Sequence, residues 1–283
     1  MIHTSVMPLF NMTETPLTEE NRKQAEIAYY DRRAMQWLSH NAQTWDTDVH
    51  NLKHTMFSSY RWLNKWLLKH CNGKKVLDYG CGNGIHSLTP IQGGARQVIG
   101  IDLSEASLEI AKKQADAAGM SDRVTFLKMD CEKMSFPDNT FDLILDGGTL
   151  YALNLHKAFS ELSRVLKPDG KLICIETLGH HPLANAKRKL NVLFGKRTQL
   201  VVDNILTMSS FETVARYFQT IKINYFHLFV LCFIPFKKIP GMSSVIRFID
   251  TFDSLLLKIP FLKKYAFKVV CILSKPKKDA ILK

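Results

Sequence analysis

Between Val76 and Ser87 the chain reads VLDYGCGNGIHS, an apolar run that stops at Asp78 and gives way to glycines at 80, 82 and 84. Three positions without side chains in five let a ligand touch main chain, and a helix that begins there offers it unpaired N–H groups. The G-x-G-x-G spacing differs from the G-x-G-x-x-G of dinucleotide-binding folds, where a pyrophosphate sits on the helix N-terminus. With Asp78 just before it, the tighter turn suits a ligand with an amino-acid end. Main chain takes its carboxylate, and acidic surroundings favour its ammonium and a sulfonium. Asp102, Asp130, Asp146 and Glu176 each close a later apolar run. Asp102 is placed to accept from two ribose hydroxyls, and Asp130 with the main chain of Cys131 can bond the edge of an adenine. Taken singly, each acid can equally be a cap or a solvated strand end.

The elements that would bring these acids together are legible from periodicity. KKVLDYG, RQVIGIDLS, RVTFLKMD, TFDLILDGG and GKLICIETLG are short runs rich in Val, Ile and Leu. Between them lie helical patterns such as SEASLEIAKKQADAAG, with Ser104 as N-cap and Gly119 at its end, and NLHKAFSELSRVLKPDG, which stops at a Pro-Asp-Gly turn. Strands alternating with helices imply a doubly wound α/β domain, its sheet mostly parallel and covered on both faces. In such sheets ligands bind beyond the carboxyl ends of the strands, where strand order reverses. Residues about 20 to 71 read as helical, and Trp62, Leu63, Trp66 and Leu67 mark one buried face. Three regions are expected: a helical N-terminal cap over 1–72, a binding core over 73–178, and a C-terminal part with inserts over 179–283.

At 283 residues and 46% hydrophobic, the chain can bury a large core. Six cysteines are scattered singly without a CxxC, which fits a reducing compartment better than a disulfide scaffold or a zinc site. No basic stretch followed by an apolar core opens the chain, and the apolar run near 225–236 is shorter than the roughly 20 residues of a spanning helix. A cytoplasmic chain, peripheral at a membrane at most, is expected. Charge is unevenly placed: 179–283 carries 18 Lys or Arg against 5 Asp or Glu, whereas 1–178 carries 20 against 21.

VLDYGCGNG, VIGIDLS, VTFLKMDCEKMSFPDNTFDLIL and LSRVLKPDGKLICIE resemble, in order and spacing, the successive motifs of class I S-adenosylmethionine-dependent methyltransferases. The resemblance covers roughly 73–178. It implies a Rossmann-like sheet with an antiparallel last strand and S-adenosyl-L-methionine as cofactor. Asp78, Gly80, Gly82 and Gly84 would cradle its methionine part and Asp102 its ribose. Leu103 would pack on the adenine, and Asp130 and Cys131 would fix its edge. Asp146, Gly147 and Leu150 would line the floor beside the departing methyl. LDGGTLYAL, at the fourth strand end, lacks the Asn/Asp-Pro-Pro-Tyr/Phe signature of amino methylation on nucleic-acid bases.

Methyl transfer to a hydroxyl or an ammonium calls for a base, and the candidates are Tyr151, His180 and His181. The histidine pair before Pro182 can equally serve as a loop or a cap. Tyr29 and Tyr30 can close over the cofactor or simply pack. Two additions should set specificity: a basic insert over 180–206, and more than 30 residues between the last two strands. In the second, Val245, Phe248, Ile249, Phe252, Leu255, Leu256 and Ile259 mark one helix face, with Lys237, Lys238, Lys258, Lys263 and Lys264 around it. Such a helix suits an anionic membrane surface, through residues 231–264, or a lid packed on its own domain. Either implies a small, hydrophobic or lipid-like acceptor. The alternatives are an RNA methyltransferase using the same lysines, although no nucleic-acid module is recognisable; a nicotinamide-dependent oxidoreductase; and a non-catalytic relative that keeps the fold.

Overall fold

The computed structural model describes residues 18–40 and 57–278; those parts of the expected helical cap that fall at 1–17 and 41–56 lie outside them. Seven strands form one sheet in the order β3-β2-β1-β4-β5-β7-β6. They are β1 (Lys75–Tyr79), β2 (Gln97–Asp102), β3 (Val124–Lys128), β4 (Phe141–Asp146), β5 (Leu166–Thr177), β6 (Phe218–Phe226) and β7 (Lys268–Pro276). β7 runs antiparallel to both of its neighbours, and the other pairings are parallel. Strand order reverses at β1, where Asp78 pairs with Gly100 on one side and Leu145 on the other.

Strand periodicity divides the core. Leu77, Tyr79, Ile99, Ile144 and Leu172 face one way, and Val76, Val98, Leu143, Leu145 and Ile173 the other. On the first face pack α5 (Leu155–Val165) through Phe159 and Leu162, and α8 (Ser210–Tyr217) through Val214. On the second pack α2 (Ser58–His70) through Leu63 and Leu67, and α4 (Glu105–Ala117) through Leu108 and Ala111. Ser104 caps α4, its Oγ accepting from the Ser107 N–H, and Gly119 follows the helix with a φ of +64°. The Pro-Asp-Gly segment is absorbed into β5 as an irregularity: pairing jumps from Phe141↔Leu166 to Leu143↔Lys171. α3 (Leu88–Gln92) follows the glycine turn, and α1 (Glu19–His40) lies against α4.

Beyond β5, the basic insert folds as α6 (Pro182–Leu193) and α7 (Leu200–Asp203). Between β6 and β7 lies α9 (Met242–Leu256), and its orientation reverses the usual rule. Ile246, Asp250 and Asp253 are buried, whereas Phe248 is 73% exposed and Val245, Phe252 and Leu255 are also exposed. Of the face expected to meet either a membrane or its own domain, Ile249 and Leu256 are half-buried, with Leu256 packed on the core, and Val245, Phe248, Phe252, Leu255 and Ile259 point outward. The reason is polar. Asp253 accepts from the main-chain N–H groups of Leu228, Phe229 and Val230 at 2.7–3.0 Å. Asp250 accepts from the Ser58 N–H and hydroxyl and from His227 Nδ1 at 3.0 Å. Buried carboxylates that answer otherwise orphaned donors hold the helix by its polar side. No helix among the described residues is long and apolar enough to cross a membrane.

Candidate active site

The carboxyl ends of β1, β2 and β4 open into a cavity of about 260 Å³. Asp78, Gly80, Gly82, Asp102, Leu103, Asp130, Cys131, Gly147, Tyr30 and Tyr151 all line it. These ten come from the ends of β1, β2, β3 and β4 and from α1, so the sheet brings together most of the residues singled out in the sequence; the motif LSRVLKPDGKLICIE adds none. Gly84, Asp146, Leu150, His180 and His181 are not on its wall.

The glycines divide the work. A Cβ on Gly80 would lie 2.2 Å from Thr149 Oγ1, so this glycine lets the β1 and β4 loops interlock; Thr149 Oγ1 donates to the Gly80 carbonyl at 3.2 Å. A Cβ on Gly84 would lie 2.8 Å from the Ala111 Cβ, which makes Gly84 a helix-packing position. Gly82 has open space where its side chain would be and a φ of +51°. It is the glycine that a ligand can approach.

The acids are held in distinct ways. Asp78 is buried and accepts from Ser87 Oγ at 2.5 Å. Burial pushes its carboxyl up to about 7; Asp146 and Asp102 push the same way, and the Ser87 bond opposes them. Asp102 accepts from Gly82 N–H at 2.8 Å and from Ser104 N–H at 2.9 Å, tying the glycine turn to the end of β2. Burial raises its carboxyl despite those two bonds. Asp130 accepts from Lys23 Nζ at 2.7 Å and from the Glu132 N–H at 2.8 Å, so the ammonium of α1 already sits at this strand end. Asp146 and Glu176 lie side by side beneath the cavity. Asp146 accepts from Thr149 N–H at 3.0 Å and Glu176 from Leu150 N–H at 2.8 Å, so the pair shapes the loop 147–150. Burial raises both; the charge of Asp146 raises Glu176 further, whereas the Thr149 N–H and the bond to Glu176 hold Asp146 back. Asp146 and Leu150, expected on the floor, therefore act from below it.

The histidines are placed elsewhere. His181 is buried as the N-cap of α6: its Nδ1 accepts from the Ala184 N–H at 3.3 Å, and its Nε2 donates to the Leu228 carbonyl at 2.8 Å. His180 Nε2 accepts from the Met208 N–H at 3.1 Å. Pro182 starts a helix, and the residue before it becomes a cap. Of the three base candidates, only Tyr151 reaches the cavity. Its hydroxyl lies 2.8 Å from that of Tyr30 and donates to Glu26 Oε2 at 3.0 Å. Burial drives the Tyr151 phenol well up, with the neighbouring Tyr30 and Glu26 acting in the same direction.

Among the wall residues that were not anticipated are Lys23, Glu26, Ile27 and Tyr60. Lys23, Glu26 and Ile27 join Tyr30 on one face of α1, at the i, i+3, i+4, i+7 spacing that could have revealed them. Tyr60 of α2 stacks on His86, centroids 5.8 Å apart and planes within 9°, and both line the cavity. α1 is fastened chiefly by polar contacts: Arg22 to Glu132 at 2.6 Å, Lys23 to Asp130, and Ser104 Oγ to Asp31 at 2.6 Å.

A family model described as a methyltransferase domain matches residues 77–174. The chain is 38% identical over 99 residues to a sterol 24-C-methyltransferase of Gibberella zeae, covering 35% of this chain and 26% of that protein. It is 36% identical over 107 residues to a demethylmenaquinone methyltransferase of Symbiobacterium thermophilum, covering 37% and 43%. The match thus spans less than half the length of these relatives. Among solved structures, geranyl diphosphate C-methyltransferase of Streptomyces coelicolor, bound to S-adenosyl-L-homocysteine, is similar with a TM-score of 0.52 at 18% identity, over 76% of this chain and 80% of that one. The chain carries a class I S-adenosylmethionine-dependent methyltransferase domain on its Rossmann-like sheet.

Proposed function

Starting from a class I methyltransferase domain, we propose that the chain transfers a methyl group from S-adenosylmethionine to a small amphiphilic acceptor by in-line displacement. The observation that carries this is the cavity at the strand-order reversal, where the open Gly82 turn meets acids from three strand ends. The names of the sterol and demethylmenaquinone relatives support an apolar acceptor. When bound, the cofactor supplies a methyl group already activated on a sulfonium. Asp78 offsets positive charge at the methionine end. Asp102 keeps lone pairs for ribose hydroxyls beyond its two N–H bonds, while Leu103 and Cys131 flank the adenine and Asp130 its edge. Alignment and water exclusion supply much of the acceleration in such a transfer. Tyr30 and Ile27 close the α1 side. For an acceptor that must lose a proton, Tyr151 backed by Glu26 is the available relay.

Incubation with methyl-labelled S-adenosylmethionine and cell extract, followed by phase separation, tests the reading. Label is expected in the organic phase. Label confined to macromolecules would overturn the small-acceptor assignment, and absence of S-adenosylhomocysteine binding would overturn the activity.

The outward face of α9 favours a second element of this reading, peripheral contact with an anionic membrane through residues 231–264. Phe236, Ile239, Phe248, Phe252 and Phe261 are exposed beside Lys237, Lys238, Arg247, Lys258 and Lys264. Burying an apolar side chain is worth about 1.5–3 kcal/mol and each nearby lysine about 1 kcal/mol at such a surface. Sedimentation with phosphatidylglycerol vesicles but not phosphatidylcholine vesicles is the expected result. Self-association without lipid, or equal sedimentation with both, would replace the bilayer with a second copy or with unspecific adhesion.

A further inference from the structure

A second cavity, of about 1160 Å³, lies between α1, α6 and the turn that follows β6. Its charge is one-sided. Arg32, Arg33, Lys187, Arg188, Lys196 and Arg197 line it, and no Asp or Glu does so among the described residues. Four of these six are exposed, whereas Arg188 and Arg197 are half-buried.

Half-buried guanidiniums are ordinarily answered by carboxylates, because withdrawing a charge from water is costly. These two are not. Arg188 donates to the Asn185 side chain and the Leu178 carbonyl, and Arg197 donates to the Tyr29 hydroxyl at 3.3 Å. Arg197 also lies over the rings of Tyr29 and Tyr151, 5.5 Å from each centroid. Arg188 is held below its usual range by burial and by the charge of Arg197, with no acid acting the other way. Among the described residues the two cations thus sit together without a carboxylate partner.

The rest of the wall mixes uncharged polar groups, Gln36, Thr177 and Asn191, with apolar side chains that include Leu183, Leu231, Ile234 and Phe267. The groove also adjoins the first cavity. Tyr29 lines the groove and Tyr30 the cavity, with ring centroids 5.1 Å apart, and Tyr151 of the cavity wall carries Arg197 on its ring.

We propose that this groove binds the anionic end of the acceptor, a phosphoryl or carboxylate group, on Arg188 and Arg197, with its hydrocarbon against Leu231, Ile234 and Phe267. The assignment rests on reading the chain as a methyltransferase for an amphiphile, and it names the missing half of that amphiphile. Forked guanidiniums match the paired oxygens of either anion, and a shortage of protein carboxylates leaves their place to the ligand.

The test is titration of the whole chain by calorimetry with octyl phosphate, octanoate, inorganic phosphate and octyltrimethylammonium, and separately with S-adenosylhomocysteine. Octyl phosphate or octanoate should bind saturably, and the tighter of the two identifies the headgroup. Replacing either arginine (Arg188→Gln, Arg197→Gln) should weaken that binding by about tenfold to a hundredfold, the loss of a charged hydrogen-bonding partner, and leave S-adenosylhomocysteine affinity in place. A Lys187→Gln, Lys196→Gln pair at exposed positions, which does not touch packing, should weaken it by a smaller factor. Binding of octyltrimethylammonium as tight as octyl phosphate, or unchanged octyl phosphate binding in all these variants, would overturn the groove. Inorganic phosphate bound as tightly as octyl phosphate would remove its apolar half. Loss of S-adenosylhomocysteine binding in the unmodified chain, with octyl phosphate still bound, would instead strike the methyltransferase reading alone.

Discussion

The hydroxyls of Tyr30 and Tyr151 lie 2.8 Å apart, joining the helix that precedes the sheet to the loop beyond its fourth strand. Glu26 accepts from the Tyr151 hydroxyl behind that pair. If this chain of groups moves a proton from the acceptor, Tyr151→Phe and Glu26→Gln should lower turnover by roughly a hundredfold, within the range of acid–base catalysis. S-adenosylhomocysteine affinity should change little. Single-turnover rates and equilibrium binding, measured on the same variants, separate the two effects. A loss confined to binding would make the pair part of the cofactor wall only.

Asp78 gives the cavity a pH dependence. In the unfolded chain its carboxyl titrates near 3.8, and in the folded chain near 7, so folding takes up a proton between those values. Its contribution to stability is fully present below about 4 and is lost as pH rises towards 7 and beyond. A cationic ligand beside it favours the ionised form and must expel that proton. S-adenosylmethionine binding should therefore tighten from pH 5.5 to 8, more steeply than that of S-adenosylhomocysteine, which lacks the sulfonium charge. Isothermal titrations in two buffers of different ionisation heat would count the proton. The slope should flatten in Asp78→Asn, and an equal slope there would point to another group.

Asp102 serves the protein as well as a ligand, since it ties Gly82 to Ser104. Its removal (Asp102→Ala) should weaken cofactor binding by about 1.5–3 kcal/mol. Asp102→Asn, which keeps an acceptor, should recover part of that. Calorimetry of both variants checks the order, and an unchanged affinity in Asp102→Ala would take the ribose away from this residue.

Two glycines should behave differently. Gly84→Ala drives a methyl group against Ala111 and forces a left-handed φ of +77°, so it should lower the melting temperature of the empty protein. Gly82→Ala meets no atom within 4 Å and carries only the backbone penalty, so its larger effect should fall on cofactor affinity. Thermal melts with and without S-adenosylhomocysteine distinguish the two patterns.

α9 should come loose by a polar route. In Asp253→Ala three main-chain donors lose their acceptor, a cost of about 3 kcal/mol or more. Phe248→Ser on the same helix should cost well under 1 kcal/mol, because the ring is already in water. For Asp250, burial raises the carboxyl, but the bond and charge of His227 and the Ser58 donors outweigh it, so the folded value lies below the ordinary 3.8. Its stabilisation is present above that value and is lost as pH falls through the lower one. Denaturant melts of the variants at neutral pH, and of the parent chain down to pH 3, give the comparison.

The site was legible where the backbone rule is strong. A parallel sheet sends its strand ends to one rim, so the sequence alone groups Asp78, Asp102 and Asp130. What lay under the rim was harder. Asp146 and the cavity wall look alike in sequence, yet Asp146 holds a loop from below because Glu176 on the next strand bonds the same segment. His181 followed local chemistry: a proline at the first helical position made it a cap. The orientation of α9 could not be read from its amphipathic pattern, which marks two faces but not which one meets the protein. That choice depends on N–H groups at 228–230, supplied by a turn some 20 residues earlier in the chain.

The fastening of α1 has a kinetic consequence. A lid held by apolar packing opens at a rate set by temperature and surface tension. α1 is held instead by Arg22–Glu132, Lys23–Asp130 and Asp31–Ser104, of which Arg22–Glu132 is withdrawn from water and Asp31–Ser104 is not an ion pair, so dissolved ions can compete chiefly at Lys23–Asp130. Added salt is then expected to speed ligand exchange only modestly, through the Lys23 end of the helix, while the buried Arg22–Glu132 pair keeps α1 anchored to the sheet.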